Sequence, residues 1–170
     1  MAKTSASTLS SIWKDKDITR ATKVRVMKAL VFPVALYGCE TWAVGKADRK
    51  LISSFEMWCW RKLLGITWKD RITNEHVRSI IGDQPSLVSR IDKHKLQYFG
   101  HISRRSGDNL EKIIISQGSF EGKHKSGRPK LRWTDGLKEI TGHSLNALYR
   151  LTNDRYQWNL LITRVTTGQS

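Results

Sequence analysis

Apolar residues recur at helical spacing along most of the chain. The clearest stripe lies ahead of Gly65 and advances by steps of one, three or four residues, which is typical of one face of an α-helix. Its members are Leu51, Ile52, Phe55, Trp58, Cys59 and Leu63. Glycine often ends a helix, so we expect this one to end at Gly65. The spacing predicts an all-α protein, a bundle of short antiparallel helices with one basic Gly/Pro loop.

A second stripe, between Ile18 and Leu36, places apolar residues on one face and basic residues on another. The apolar residues are Val24, Met27, Val31, Val34 and Ala35. Pro33 lacks a backbone N–H, so we expect it to bend or relax the last turns of this helix. Gly38 follows and permits the chain to reverse its direction.

Capping residues predict where later helices begin. Thr73 is placed to cap one short helix, and Ser144 and Asp154 are placed to cap two helices near the C-terminus. A longer helix is expected within residues 83–102, and its inward face consists of Leu87, Val88, Ile91, Leu96, Phe99 and Ile102. Residues 109–117 favour a short helix, although their run of three isoleucines also fits a strand.

Glycine and proline cluster in residues 118–130, which predicts a basic loop or linker there. The cluster consists of Gly118, Gly122, Gly127 and Pro129. On either side we expect a flexible polar N-terminus at 1–17, a helical domain at 18–117 and a C-terminal helical segment at 131–170.

The excess of basic residues restricts the expected partners. The chain has 30 Lys and Arg against 15 Asp and Glu, a formal net charge of +15. Such a charge attracts polyanions, so RNA or DNA, bound through its phosphate backbone, is the expected partner. A solvated basic surface is the alternative, because charge alone does not specify a partner. Membrane binding is not expected, since no apolar run approaches the roughly 20 residues of a spanning helix.

The N-terminal residues and the cysteines indicate the compartment. Residues 1–11 are polar and lack the apolar core of a secretory signal. Cys39 and Cys59 lie in apolar surroundings, so we expect buried free thiols rather than a disulfide. These features predict an intracellular protein, nuclear or cytoplasmic.

Three stretches carry a resemblance to a known family. The first is Leu-Tyr-Gly-Cys-Glu-Thr-Trp at 36–42, and the second begins Phe-Glu-Met-Trp-Cys-Trp-Arg-Lys-Leu-Leu-Gly and occupies 55–75. The third pairs Leu-Gln-Tyr-Phe-Gly-His-Ile-Ser-Arg-Arg at 96–105 with Gly-Arg-Pro-Lys-Leu-Arg-Trp-Thr-Asp at 127–135. In this order they resemble the C-terminal part of LINE-type, non-LTR retrotransposon endonuclease–reverse transcriptases, from the thumb onward.

The resemblance implies a fragment of an RNA-directed DNA polymerase rather than a complete enzyme. Polymerisation needs clustered carboxylates that hold two divalent ions, and this family typically places them in a Tyr-x-Asp-Asp hairpin. The sequence contains no Asp-Asp pair. The apurinic-type endonuclease of such elements is also absent. We therefore expect no catalytic residues, no cofactor and no catalysis from this chain alone.

The resemblance to a thumb singles out the basic face of the first long helix. A thumb helix lies along the template–primer duplex, where Lys and Arg neutralise phosphates without reading the base sequence. The phosphate-binding candidates, with two from the next stripe, are Arg20, Lys23, Arg25, Lys28, Arg61 and Lys62. A solvated face is the alternative for each of them.

The loop from Gly122 to Arg132 is basic and contains no acidic residue. Its candidate phosphate-binding residues are Lys123, Lys125, Arg128, Lys130 and Arg132. The centre, Gly127-Arg128-Pro129, resembles an AT-hook, in which arginine enters a narrow A·T minor groove. Ser126 stands where the hook usually has an arginine, so plain phosphate binding is favoured. A linker without specific contacts is the third interpretation.

Tryptophan is abundant, with seven residues. Its rings can pack in a core, or they can stack on unpaired bases for about 1–3 kcal/mol each. Core packing is favoured for Trp42, Trp58 and Trp158, which lie on apolar stripes. Trp60 and Trp68 lie beside basic residues and are the candidates for base stacking.

Metal binding and nucleophilic catalysis are not expected. Cys39, Cys59, His94 and His101 lack the Cys-x-x-Cys or His-x₃-His spacing typical of a zinc site. No Gly-x-Ser-x-Gly elbow occurs in the sequence.

The sequence therefore predicts a nucleic-acid-binding C-terminal fragment of a non-LTR reverse transcriptase that lacks the palm and the endonuclease. The palm and fingers of such an enzyme are further expected partners. Self-association is expected too, because thumb helices without a palm would expose an apolar patch. The alternative is a domesticated or remnant protein-interaction domain without a nucleic-acid function.

Overall fold

The computed structural model describes residues 1–105, 111–112, 115 and 131–167. Within these residues the regular secondary structure is helical throughout and includes no strand, which confirms the all-α class. No helix in this part of the chain is long and apolar enough to cross a membrane. The predicted loop at 118–130, and most of the segment at 109–117, lie outside the described residues.

The helices follow one another closely along the chain. In the N-terminal half they are α1 Ala2–Thr8, α2 Ser10–Lys14, α3 Arg20–Val26, α4 Phe32–Ala35, α5 Lys46–Leu64 and α6 Asn74–Ile81. A π-helical turn, Met27–Val31, joins α3 to α4, and two 3₁₀ helices occupy Cys39–Thr41 and Trp68–Asp70. The remaining helices are α7 Leu87–Ser103, α8 Trp133–Thr141, α9 Leu145–Asn153 and α10 Arg155–Thr167.

The chain divides into two compact units. Unit 1 consists of Met1–Tyr37 and Arg49–Val88, and unit 2 consists of Gly38–Asp48 and Ser89–Ser170. The domain boundaries given above stay a prediction. The prediction followed glycine and proline along the sequence, whereas the units are defined by contacts between distant segments.

The N-terminus differs from the flexible segment predicted for residues 1–17. Two short helices, α1 and α2, occupy it, and both Ala6 and Trp13 are buried. The Trp13 indole Nε1–H donates a 2.7 Å hydrogen bond to the Ala6 carbonyl oxygen. A polar, Ser/Thr-rich composition did not reveal these helices, because their order depends on two apolar anchors that pack in the core of unit 1.

The helix that contains Pro33 departs from regular α-helical geometry, as the sequence predicted. The π-helical turn Met27–Val31 immediately precedes it, and the chain then returns to α-helix. A π turn holds more residues per turn than an α turn, so it shifts the buried face. Met27 and Val31 are buried, whereas Val34, predicted on the same face, is 43% exposed.

The core of unit 1 gathers around α5, which ends at Gly65 as predicted, with a φ of 70° at that glycine. Buried Trp60 lies edge-on to Phe32, with 5.1 Å between ring centroids. The buried Glu56 accepts hydrogen bonds from Trp60 Nε1 at 3.4 Å and from the Leu87 backbone N–H at 3.1 Å. This carboxylate therefore satisfies the start of α7, a role that the sequence pattern did not indicate.

The core of unit 2 is aromatic and centres on Phe99. Its ring centroid lies 5.0 Å from that of Tyr149, 5.8 Å from that of Trp158 and 6.4 Å from that of Trp133. The other buried members of this core are Leu96, Leu137, Leu148 and Ile162.

The predicted helix caps are confirmed. The Thr73 hydroxyl accepts from the His76 N–H, and the Ser144 hydroxyl accepts from the Ala147 N–H. The Asp154 carboxylate accepts from the backbone N–H groups of Tyr156 and Gln157, in the first turn of α10.

Candidate nucleic-acid interface

The positive charge is divided almost equally between the two units. Unit 1 contains 14 Lys and Arg against 6 Asp and Glu, a net charge of +8. Unit 2 contains 16 against 9, a net charge of +7. Each unit is therefore basic enough to attract a polyanion by itself.

The basic residues of the first long helix fall into two groups. Lys23 is half-buried, and its Nζ donates hydrogen bonds to the Trp13 carbonyl at 3.0 Å and the Asp15 carbonyl at 2.6 Å. Lys28 is also half-buried and donates to Gln84 Oε1 at 2.6 Å. These two ammonium groups hold the fold of unit 1 together.

Arg20 and Arg25, by contrast, are exposed to solvent on α3. A guanidinium in this position can contact a phosphate without leaving a carbonyl of the protein unsatisfied. They are the better phosphate-binding candidates of the four residues predicted on this helix.

The two candidates at the end of α5 also serve the protein itself. The Arg61 guanidinium donates to the Ile72 carbonyl at 2.7 Å and to Asn74 Oδ1 at 2.9 Å, so it fixes the segment that leads into α6. The Lys62 ammonium lies 5.2 Å from the centroid of a Trp58 ring, within cation–π range. Both side chains are half-buried.

Trp60 cannot stack on a base, which corrects the prediction made for it. Its side chain is 2% exposed, and it packs against Phe32 in the core of unit 1. The basic neighbours that suggested a surface position follow it on α5. On a helix, adjacent residues point in different directions, so those cations say little about the face on which Trp60 lies.

Trp68 is the predicted stacking residue that remains on the surface, with 84% of it exposed. It begins the 3₁₀ helix Trp68–Asp70, which a reciprocal cap stabilises. Asp70 Oδ2 accepts from the Thr67 backbone N–H at 2.6 Å and from its hydroxyl at 2.8 Å. These hydrogen bonds from Thr67 lower the pKa of Asp70, so the cap is ionised near neutral pH.

Two exposed cations accompany Trp68 along the chain. Lys69 follows it directly, and Arg71 ends the turn with a φ of 49°. A non-glycine residue in this left-handed region is uncommon and costs about 1–2 kcal/mol. Arg71 was absent from the predicted phosphate-binding residues, because the residues around it did not indicate this backbone conformation.

The candidates of the basic loop have different outcomes. Lys123, Lys125, Arg128 and Lys130 lie outside the described residues. Arg132 lies at the start of α8 and is exposed, and its backbone N–H donates to Asp135 Oδ2 at 3.0 Å.

Unit 2 contains a group of metal-ligand types that sequence spacing did not indicate. The ligand atoms of Cys39, Glu40 and His94 all lie within 4.8 Å of one another. Cys39 Sγ and His94 Nδ1 are 3.4 Å apart and share a hydrogen bond. The sequence spacing argued against a site that contains Cys39 and His94, because 55 positions separate these two residues, and it did not single out Glu40.

Both cysteines are free and buried, as predicted. Burial, assisted by the charge of Glu40, raises the pKa of Cys39 to about 11. Burial, assisted by the charge of Glu56, raises the pKa of Cys59 to about 12. In these surroundings both thiols are protonated at neutral pH and are poor nucleophiles.

The chain is 29% identical over 167 residues to a Caenorhabditis elegans protein described as an uncharacterized transposon-derived protein. The match covers 91% of this chain and 58% of that protein, so the chain spans little more than half the length of this relative. No family model matches the chain, and no solved structure matches it. The similarity indicates a transposon-related origin.

Proposed function

We propose that this chain is a nucleic-acid-binding C-terminal fragment of a non-LTR reverse transcriptase, from the region that follows the palm. The observation that most directly supports nucleic-acid binding is the exposure of Trp68, whose large ring lies almost fully in solvent on a capped turn. The three sequence stretches that resemble LINE-type reverse transcriptases support the reverse-transcriptase origin, and the transposon-derived relative agrees with it.

The turn around Trp68 has the properties of a stacking platform for an unpaired base. Exposing a tryptophan is unfavourable by itself, since burial of such a ring contributes strongly to folding. The Thr67–Asp70 cap holds the turn, and Arg61 anchors the segment that follows it. A ring presented on a fixed backbone loses little entropy when a base stacks on it.

The exposed cations supply the contacts to phosphate. Arg20, Arg25, Lys69 and Arg71 are exposed in unit 1. Lys23, Lys28 and Arg61 donate to groups of the protein and contribute mainly to stability. We therefore assign backbone binding to the first set, with single-stranded RNA or DNA as the ligand class, because stacking requires an unpaired base.

A test of this proposal is the binding of unstructured single-stranded RNA and DNA oligonucleotides, followed by fluorescence anisotropy over a range of salt concentrations. Loss of one stacked base costs about 1–3 kcal/mol, so Trp68→Ala should weaken binding about 5- to 150-fold. The salt slope should stay unchanged, since stacking releases no counterion.

The matched control is Tyr156→Ala, which removes another aromatic side chain of high exposure, 74%, in unit 2. This variant should bind like the wild-type chain. Equal affinities for Trp68→Ala and the wild type would contradict the role of Trp68, and weak binding of the wild type near physiological salt would contradict nucleic-acid binding altogether.

A protein partner is the second candidate, and exposed apolar residues of unit 1 favour it. Leu30, Val34 and Tyr37 lie close together in sequence and are 53%, 43% and 87% exposed. Such residues suit a contact with the palm and fingers of a polymerase or with a second copy of the chain. Sedimentation of the purified chain distinguishes self-association, which makes the apparent mass rise with concentration.

We also propose that the chain has no polymerase activity of its own. Its acidic residues include no adjacent aspartates, and two-metal phosphoryl transfer requires clustered carboxylates. Primer extension by the purified chain with Mg²⁺ or Mn²⁺ should therefore yield no product, and template-dependent extension would refute this part of the proposal.

A further inference from the structure

The group formed by Cys39, Glu40 and His94 has the composition of a transition-metal site. It offers one sulfur, one oxygen and one nitrogen ligand, all within 4.8 Å of one another. Mg²⁺ and Ca²⁺ prefer oxygen ligands, whereas thiolate and imidazole favour Zn²⁺ among the common cellular ions. A disulfide does not account for the group, because Cys39 is free.

The separation of the sulfur and nitrogen atoms fits a bound ion. Tetrahedral zinc, with bonds of about 2.3 Å to sulfur and about 2.0–2.1 Å to nitrogen, places these two ligands about 3.5 Å apart. Cys39 Sγ and His94 Nδ1 are 3.4 Å apart. A Glu40 carboxylate oxygen lies within 4.8 Å of both atoms, and the partly exposed side chain of Glu40 leaves room for it to approach the ion.

The backbone that carries two of the ligands is fixed without an ion. Gly38, with a φ of 65°, turns the chain into the 3₁₀ helix Cys39–Thr41, and the Thr41 hydroxyl donates to the Gly38 carbonyl at 2.8 Å. The Glu40 carbonyl accepts a 2.7 Å hydrogen bond from Trp133 Nε1. Preorganised ligands bind a metal more tightly, because less conformational freedom is lost.

The third ligand lies on a long helix and is open to solvent. His94 belongs to the 17-residue helix α7 and is exposed, whereas Cys39 is fully buried. An ion can therefore enter from the side of the imidazole, and a water molecule can complete a tetrahedral shell there. The ion would also supply the positive charge that lets the buried thiol bind as a thiolate.

We propose that Cys39, Glu40 and His94 bind one Zn²⁺ ion, which fastens the segment Gly38–Asp48 to α7 within unit 2. The site is independent of the proposed nucleic-acid function, because it uses none of the residues assigned there. The ion would join two segments that are 55 positions apart in the sequence, so its binding would stabilise the fold.

The test uses Co²⁺ as a spectroscopic probe on the reduced, chelator-treated chain. Binding through a cysteine should produce a thiolate-to-cobalt charge-transfer absorption that saturates at one equivalent per chain and disappears when Zn²⁺ is added. Zn²⁺ should also raise the melting temperature in a concentration-dependent manner. Absence of the charge-transfer absorption from the wild-type chain overturns the proposal.

The chain supplies matched control variants. Cys39→Ser should abolish the absorption, whereas Cys59→Ser removes the other buried thiol and should retain it. His94→Gln should weaken Co²⁺ binding by more than about tenfold, and His101→Gln, also on α7, should leave it unchanged.

Because Cys39 is buried, its replacement could also affect folding. His94 is exposed, so the His94→Gln variant keeps the proposal falsifiable when its circular dichroism matches that of the wild type. A folded His94→Gln chain that binds Co²⁺ as tightly as the wild type, or a Cys39→Ser chain that keeps the absorption, overturns the proposed ligand set.

Discussion

At the scale of single residues, the same side-chain type performs different tasks according to its depth. Trp60 and Trp68 lie close together in the sequence, and both have basic neighbours. Trp60 is nevertheless 2% exposed, whereas Trp68 is 84% exposed. Similarly, Lys23 caps carbonyls while Arg25 faces solvent. Residue type and local charge predicted the candidates for nucleic-acid binding. Burial then separates the residues that support the fold from those that are exposed and available to a ligand.

Gly100 is a residue whose replacement should be costly. A Cβ atom built there would overlap the Trp158 indole in the core of unit 2. Overpacking of this kind costs about 1–3 kcal/mol, so Gly100→Ala should lower the free energy of unfolding by that amount, measured by urea denaturation. Gly45→Ala is the control, because a Cβ there meets its nearest atoms at an ordinary 3.5 Å. Equal stability of the two variants would show that the Trp158 ring moves aside freely.

At the scale of elements, α3 combines two functions along one helix. Its inner side packs in the core through Val24, and Lys23 ties it to the end of α2. Its exposed arginines are the ones that we assign to phosphate. A change on α3 should therefore affect either stability or salt-dependent binding, according to the position.

Variants of α3 test this division. Arg25→Ala should reduce the log–log salt slope of nucleic-acid binding by up to about 0.9 while leaving stability unchanged, if Arg25 contacts one phosphate. Lys23→Ala should instead lower the free energy of unfolding by about 0.5–1.5 kcal/mol, because the Trp13 carbonyl loses its partner, whereas the exposed Asp15 carbonyl can bind water. Anisotropy titrations and urea denaturation measure the two effects, and the reverse pattern would contradict the assignment.

At the scale of the whole molecule, the chain combines a strong positive charge with apolar cores that contain buried thiols. The charge of +15 is divided between both units, so the polyanion-attracting field belongs to the entire chain. Each unit also buries one cysteine.

In the metal-free chain, the buried thiols make the free energy of unfolding depend on pH in the alkaline range. Their pKa values rise from 9.0 to about 11 for Cys39 and about 12 for Cys59 in the folded chain. Above pH 9 the unfolded chain therefore loses protons that the folded chain keeps, so this contribution to stability falls as pH rises. The slope is about 1.4 kcal/mol per pH unit for each thiol.

Urea denaturation between pH 8 and pH 11 checks this expectation, because the range includes most of the window from pH 9 to about pH 12 that the two shifts define. Cys59→Ser should flatten the decline, because serine does not titrate in this range. A stability that stays constant over the same range would contradict the protonated state of both thiols.

Much of the secondary structure was determined by the sequence itself. The stop of α5 at Gly65 and the caps at Thr73, Ser144 and Asp154 depend on residues within a few positions of one another. The inward face of α7 likewise follows from a period of 3.6 residues. Such local interactions act in any context, so neighbouring residues in the sequence are enough to predict them.

Only the tertiary structure decided which side chains are buried and which lie close to one another. The order of α1 and α2, the burial of Trp60 and the buried carboxylate of Glu56 depend on partners far away in the chain. The proximity of Cys39 to His94 likewise requires 55 residues of chain to return to one place. Burial and side-chain proximity arise from long-range packing, whereas periodicity and capping describe only the next turn of helix.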